Sequence, residues 1–275
     1  MYWYWWTLIV VVVLAVAGGL AWLAVWLYGR KRKPDWKDCT KATCWHGANA
    51  SQRMMNILSP HMPDVVSLAR LAWMKERGCN TAHVFIANTA DGEFASPGYS
   101  VYGPSCSWRI DEGVCATMRR RIKQIRREGL AVVVWLFADD SAKFNRMAAS
   151  DFFQYMSDVK KAGLLDDASI VVAGLELNEY FNASQVAALV SSIRNVWSGK
   201  VGTHQTSGRV DLSVFGDLVF YQVDPGKPAQ FIEFEARRIS QGVGKPLCFF
   251  ELARQEARDL CEAAFRGGAW SVGNW

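Results

Sequence analysis

The sequence predicts an α/β protein, a (β/α)8 TIM barrel lacking a final helix and preceded by one transmembrane helix. Three observations carry this expectation. The first 29 residues contain no Asp, Glu, Lys or Arg. From residue 42 onward, short runs of Val, Ile, Leu and Phe alternate with longer segments of helical period. Polar residues gather where those runs end, while the runs themselves stay apolar.

At the N-terminus, TLIVVVVLAVAGGLAWLAVWLY is an apolar run of 22 residues, against roughly 20 needed to cross a bilayer as a helix. Tyr2 to Trp6 flank one end and Trp22, Trp26 and Tyr28 the other, as rings favouring the two interfaces would. Arg30-Lys31-Arg32-Lys33 then stops the segment. A cleaved signal peptide would need a basic start and a shorter core, so a retained anchor over 1–29 is expected, with the lipid bilayer as its partner. A basic linker, 30–41, leads to a domain over 42–275.

In that domain the expected strands are 81–87, 130–137, 169–177, 218–223 and 246–252, with weaker ones near 42–48, 201–205 and 269–274. Helical spacing marks 64–78, 113–129, 151–163, 183–197 and 228–242. Gly78, Gly129 and Gly163 each precede a strand, where a helix C-terminus favours glycine. Alternation at this spacing means βαβ units and a parallel sheet. Eight such units fit the length of a closed barrel. A doubly wound sheet would show a Gly-rich turn after its first strand, and HGANASQRM is not one. The chain stops on its last expected strand, so the linker, the membrane helix or a protein partner is expected to cover the open barrel edge.

Barrel enzymes place their chemistry at the C-terminal strand ends. Those ends offer His46, His83, Asn178, Glu179, His204, Tyr221, Glu251 and the run from Trp270 to Trp275. Asp139 and Asp140 read as solvated loop residues, and Tyr99, Tyr102 and Trp108 lie in a long loop. Glu179 and Glu251 stand out, because glutamates are seldom carried by apolar strands without a function. On the fourth and seventh strands of eight they would face each other across the mouth. Two opposed carboxyl groups are the equipment of glycoside hydrolysis, one protonating the leaving oxygen and the other attacking the anomeric carbon or activating water.

The motifs resemble those of clan A glycoside hydrolases, closest in style to the family 5 cellulases and mannanases: HGAN (46–49), LAWMKERGCNTAHVFI (71–86), REGLAVVVWLF (127–137), LELNEY (175–180), GKPLCFFELA (244–253) and GGAWSVGNW (267–275). The resemblance implies a retaining glycosidase with Glu179 as general acid/base and Glu251 as nucleophile. It makes Asn178 the partner of the sugar 2-hydroxyl, Tyr221 a support for Glu251, and Trp270 or Trp275 the sugar platform. As strand-end residues His83, His46 and His204 are candidate substrate contacts, with a satisfied core histidine an equal reading of His83, and no cofactor is implied. Two departures favour an alternative, an inactive barrel that binds carbohydrate or serves as a scaffold: His83 stands where the family has Arg, and no final helix follows the last strand.

Other classes are set aside on composition. The net charge is +5, of which the basic cluster supplies four, so the domain lacks the basic face of a nucleic-acid binder. No His-x-His stands on the first strand and no cysteine pair has zinc spacing, so no metal is expected. The seven cysteines are an odd number, and with the positive-inside rule they lean towards a cytoplasmic domain. Cys248 and Cys261 are expected in the core, with Cys39/Cys44 and Cys106/Cys115 able to pair if the domain is exported.

Overall fold

The apolar runs become seven parallel strands in a computed structural model that describes Gly19 and residues 64–76, 79–86, 112–136, 148–206, 216–224, 226–250, 252 and 258–273. The strands are β1 Thr81–Phe85, β2 Ala131–Trp135, β3 Ile170–Val172, β4 Lys200–Gln205, β5 Leu218–Tyr221, β6 Leu247–Phe249 and β7 Ser271–Val272. They pair in chain order, each parallel to the next. The helices are α1 Asp64–Glu76, α2 Glu112–Arg127, α3 Ala149–Lys161, α4 Leu177–Tyr180, α5 Ala183–Val196, α6 Ala229–Val243 and α7 Arg258–Arg266. The chain divides into two compact units, 1–33 and 34–275. The expected membrane helix, linker and first strand lie outside the described residues, as do His46, Glu251 and Trp275. Among the described residues no helix is long and apolar enough to cross a membrane.

Side chains alternate across the sheet, as a period of two requires. Val132, Val134, Val171 and Val201 pack outward with residues of α1, α2, α3 and α5. Val219, Tyr221, Leu247 and Phe249 pack outward against α6 and α7. The other face carries Ala131, Val133, Trp135, Ile170, Val172, Leu218, Phe220, Cys248 and Phe250. These inner residues meet across the sheet, which shows that it curls. His83 on β1 lies 4.8 Å from the Phe250 ring that follows β6, and Trp135 on β2 lies 4.5 Å from it. Gly202 makes room for this filling: a β-carbon there would sit 2.5 Å from the Phe220 ring.

Local signals account for the element ends. Asn182 caps α5, its side chain accepting from the Gln185 N–H while Gln185 answers to the Asn182 N–H. Gly129 and Gly163 take positive φ, 81° and 68°, where α2 and α3 give way to the next strand. Two elements differ from expectation. β3 is only Ile170–Val172, and the chain then leaves the sheet and forms the short turn α4. α7 occupies a stretch to which no element was assigned; it buries Cys261, Ala263 and Ala264 against α6.

Cys248 and Cys261 are buried in the core, as expected, but the pairing differs. Cys79, Cys115 and Cys248 are buried and form no disulfide, so Cys115 is not paired with Cys106. Cys261 is disulfide-bonded rather than a plain core thiol, and its partner is not among the described residues.

Candidate active site

Where β3 ends, the backbone ladder to β4 continues for one more bond, from Ala173 N–H to the Gly202 carbonyl at 2.9 Å. The chain then turns sharply. Glu176 adopts φ 49°, ψ 41°, the one non-glycine residue with positive φ among the described residues. Its N–H donates to Nδ1 of His204 on β4 at 2.8 Å. Leu177 follows into the interior side of the turn, fully buried, and α4 presents Asn178 and Glu179. Glu179 therefore stands on a helical turn after the strand and not on the strand itself. It is exposed, and it does not cap α5, since Asn182 does.

Thr206, the residue after β4, ties this pair together. Its N–H donates to Asn178 Oδ1 at 2.9 Å, and its hydroxyl donates to Glu179 Oε1 at 2.7 Å. The same hydroxyl oxygen accepts from Asn178 Nδ2 at 3.1 Å. A hydroxyl has one proton, and the carboxylate contact is shorter than the 3.3 Å to Asn178 Oδ1, so the carboxylate takes it. The arrangement leaves Glu179 one oxygen and Asn178 one N–H uncommitted by Thr206. Thr206 escaped the sequence reading, although inward alternation through Gly202 and His204 leads directly to it.

His83 and His204 are 2% and 0% exposed, enclosed by rings beneath this turn. Trp135 Nε1 donates to His83 Nδ1 at 3.0 Å. His204 packs edge-on against Trp135 and Phe250, with centroids 5.5 and 5.8 Å away. Burial lowers both imidazoles from an ordinary 6.5 to about 3, so both are neutral. With Nδ1 accepting in each, the proton sits on Nε2; that of His204 is buried without a partner. His83 takes the core reading of its two, and for His204 the expected substrate contact is replaced by a place in the barrel filling.

Two further expectations are corrected. Tyr221 lies on the outer face, where its hydroxyl donates to Glu235 Oε2 on α6 at 2.9 Å. Arg238 grips the same carboxylate through Nε at 2.9 Å and Nη2 at 2.7 Å. Burial and the Glu235 carboxylate push the Tyr221 hydroxyl up, and the Arg238 hydrogen bonds hold Glu235 below the usual range. The pair locks helix to sheet and does not reach the mouth. Trp270 precedes β7, and its N–H donates to the carbonyl of Leu247, the first residue of β6, at 2.7 Å. That is the N-terminal end of the strands, opposite Glu179, so Trp270 is not the sugar platform. Among the described residues no group of three His, Cys, Asp or Glu side chains could hold a metal ion.

No family model matches the chain. No curated protein matches it either. The fold is shared with solved glycoside hydrolases at low identity. A family 5 glycoside hydrolase of Bacteroides vulgatus superposes with TM-score 0.56 at 15% identity, over 78% of this chain and 56% of that one. A GH5_18 protein of Bifidobacterium longum gives 0.58 at 12%, over 85% and 70%. A hyperthermophilic endo-β-1,4-glucanase, solved in complex with substrate, gives 0.55 at 12%, over 88% and 91%. The chain spans about half, 51%, of a second Bacteroides vulgatus protein provisionally classed as a glycoside hydrolase, with TM-score 0.60 and 14% identity. The curled parallel sheet with its outer helices matches these barrels.

Proposed function

We propose that the chain is a retaining glycoside hydrolase of β-linked glycans, with Glu179 as general acid/base and Glu251 as nucleophile. The observation that carries this reading is the Thr206 hydroxyl, which orients an exposed Glu179 at the C-terminal end of the sheet while Asn178 is held beside it. One carboxyl oxygen is occupied by Thr206, so the other is directed to the glycosidic oxygen, to which it gives its proton as the bond breaks. Glu251 attacks the anomeric carbon from the other face, and the water that releases the glycosyl group then returns its proton to Glu179. The second N–H of Asn178 donates to a sugar hydroxyl. A β-linked glycan is favoured because a structural neighbour was solved with the disaccharide Manβ1-4GlcNAc and another is an endo-β-1,4-glucanase.

Glu179→Gln tests the reading. With nitrophenyl β-cellobioside and β-mannoside, turnover should fall by about 10²–10⁴-fold, with thermal unfolding unchanged. A wild-type chain inactive on both glycosides, or a fully active variant, refutes it. One observation favours the alternative of an inactive carbohydrate-binding barrel. His83 is buried and neutral, so it supplies none of the positive charge of the arginine it replaces. In that case glycan binding survives Glu179→Gln and no hydrolysis is found in either form.

Residues 1–29 would hold the barrel to a membrane as a single span. The positive-inside rule on Arg30 to Lys33 argues for the cytoplasmic side. The disulfide at Cys261 argues for the other, because a cytosol keeps thiols reduced. Cys79, Cys115 and Cys248 are buried, so an oxidising compartment leaves them intact. Together with a glycan substrate, the disulfide supports a barrel outside the cytoplasm, against the side the basic cluster favours. Protease added to intact cells should then digest the barrel; full protection would place it inside.

A further inference from the structure

We infer that His204 is a positioning residue: by accepting the Glu176 N–H it holds the turn after β3 in a left-handed conformation, and so sets Asn178 and Glu179 against Thr206. The inference rests on the reading of Glu179 as the acid/base, and it names what keeps that group in place.

Three observations converge on it. A residue with a β-carbon is disfavoured at φ 49°, ψ 41°, and such a conformation persists only where its surroundings over-determine it. The surroundings here are specific. The Glu176 N–H turns inward to a ring nitrogen at 2.8 Å, on a side chain with no exposed surface and no room to swing. The ties also form a series between two segments. Ala173 N–H bonds the Gly202 carbonyl, Glu176 N–H bonds His204, and Asn178 bonds Thr206. Each step on β4 is two residues, always on the inner face. Once β3 has left the sheet, side chains on the β4 side carry the pairing onward that backbone carbonyls no longer can.

The chemistry requires the neutral ring in one tautomer. Nδ1 must be unprotonated to accept, which puts the proton on Nε2, where it is buried without a hydrogen-bond partner. A buried donor left in that state costs stability. An apolar residue would avoid the cost, so what the site retains is the acceptor facing Glu176.

The test uses four full-length proteins in detergent: His204→Ala, His204→Asn, Glu176→Gly and the double variant His204→Ala/Glu176→Gly. Asn places Oδ1 at the same bond distance from the backbone as Nδ1. Glycine adopts the left-handed conformation without a retaining contact. His204→Ala should lower kcat on nitrophenyl β-cellobioside by about 10²-fold with KM little changed, as a small misplacement of a catalytic group does. His204→Asn should stay near wild type, and adding Glu176→Gly should restore most of the activity lost in His204→Ala. Equal loss in the Ala and Asn variants, or no restoration by glycine, overturns the inference and leaves His204 a packing residue. Hydrogen exchange at the Glu176 amide separates this from the fate of the catalytic reading. That amide should be protected in wild type and His204→Asn and unprotected in His204→Ala. Equal exchange in all three refutes the positioning role in an active or an inactive protein.

Discussion

Thr206 shows how one hydroxyl can organise a site. It donates to Glu179, accepts from Asn178, and its own N–H fills the remaining acceptor of the amide. Thr206→Val keeps the branched shape and removes the hydroxyl. The exposed Glu179 then loses its anchor, and activity on a nitrophenyl β-glycoside should fall by roughly one order of magnitude or more, since an unoriented acid/base forfeits part of its 10²–10⁴-fold contribution. Stability should fall by about 1 kcal/mol, the usual worth of one hydrogen bond, read from the denaturation midpoint. A valine variant with full activity would remove Thr206 from the mechanism. Tyr221 is the contrasting residue. In sequence it sits at a strand end like the others, but its parity turns it outward to Glu235 and Arg238.

At the scale of elements, α6 and α7 cover the second half of the sheet as a pair. Arg266 at the end of α7 reaches Glu233 on α6 at 3.0 Å, and Ser240 donates to the Gly267 carbonyl at 3.1 Å. The two helices come this close because Gly267 has no side chain. A β-carbon there would sit 2.4 Å from the Glu233 carbonyl oxygen and 2.6 Å from Ala236 Cβ. Backbone cannot yield as a flexible side chain can. Gly267→Ala should therefore cost about 1–3 kcal/mol, measured by chemical denaturation. The Asn178–Glu179 turn should keep its geometry, because α4 packs on β4 and not on this helix pair. An unchanged midpoint would show that α7 is free to shift.

At the scale of the whole molecule, the described residues include two neutral imidazoles in the interior. Unfolded histidines protonate near 6.5, whereas His83 and His204 stay neutral until about 3. Between those values the unfolded chain binds more protons, so stability falls as pH is lowered from 6.5 and is fully present above it. Each ring can contribute up to about 1.4 kcal/mol per pH unit in that window. Glu235 and Asp217 add to the loss at lower pH. Asp217 is pushed up by burial, but the Arg194 hydrogen bond and the Val201 N–H bring it below its ordinary value, so its contribution vanishes as the carboxylate protonates. Thermal unfolding should therefore begin at markedly lower temperature at pH 4.5 than at pH 7. In His204→Asn the slope above pH 4.5 should be about half as steep. A profile flat from pH 7 to 4.5 would mean that the rings are already charged or solvated in the folded state.

By itself the sequence determined the alternation of strands and helices, the parallel order and most element positions, because periodicity and glycine stops are local properties. Leu218–Tyr221 and Ala183–Val196 were legible in this way, whereas the end of β3 at Val172 was not. It also marked Glu179 as a residue an apolar run does not carry without cause. Only the tertiary structure decided which face each end residue takes and at which end of the sheet it lies. Tyr221 goes outward, Trp270 lies at the opposite end, the histidines are enclosed by rings from strands far apart in sequence, and Thr206 meets Glu179 across 27 residues of chain. The reason is geometric. One step along a strand exchanges the two faces, and the curl that gathers His83, Trp135, His204 and Phe250 is a property of seven strands together and of none alone.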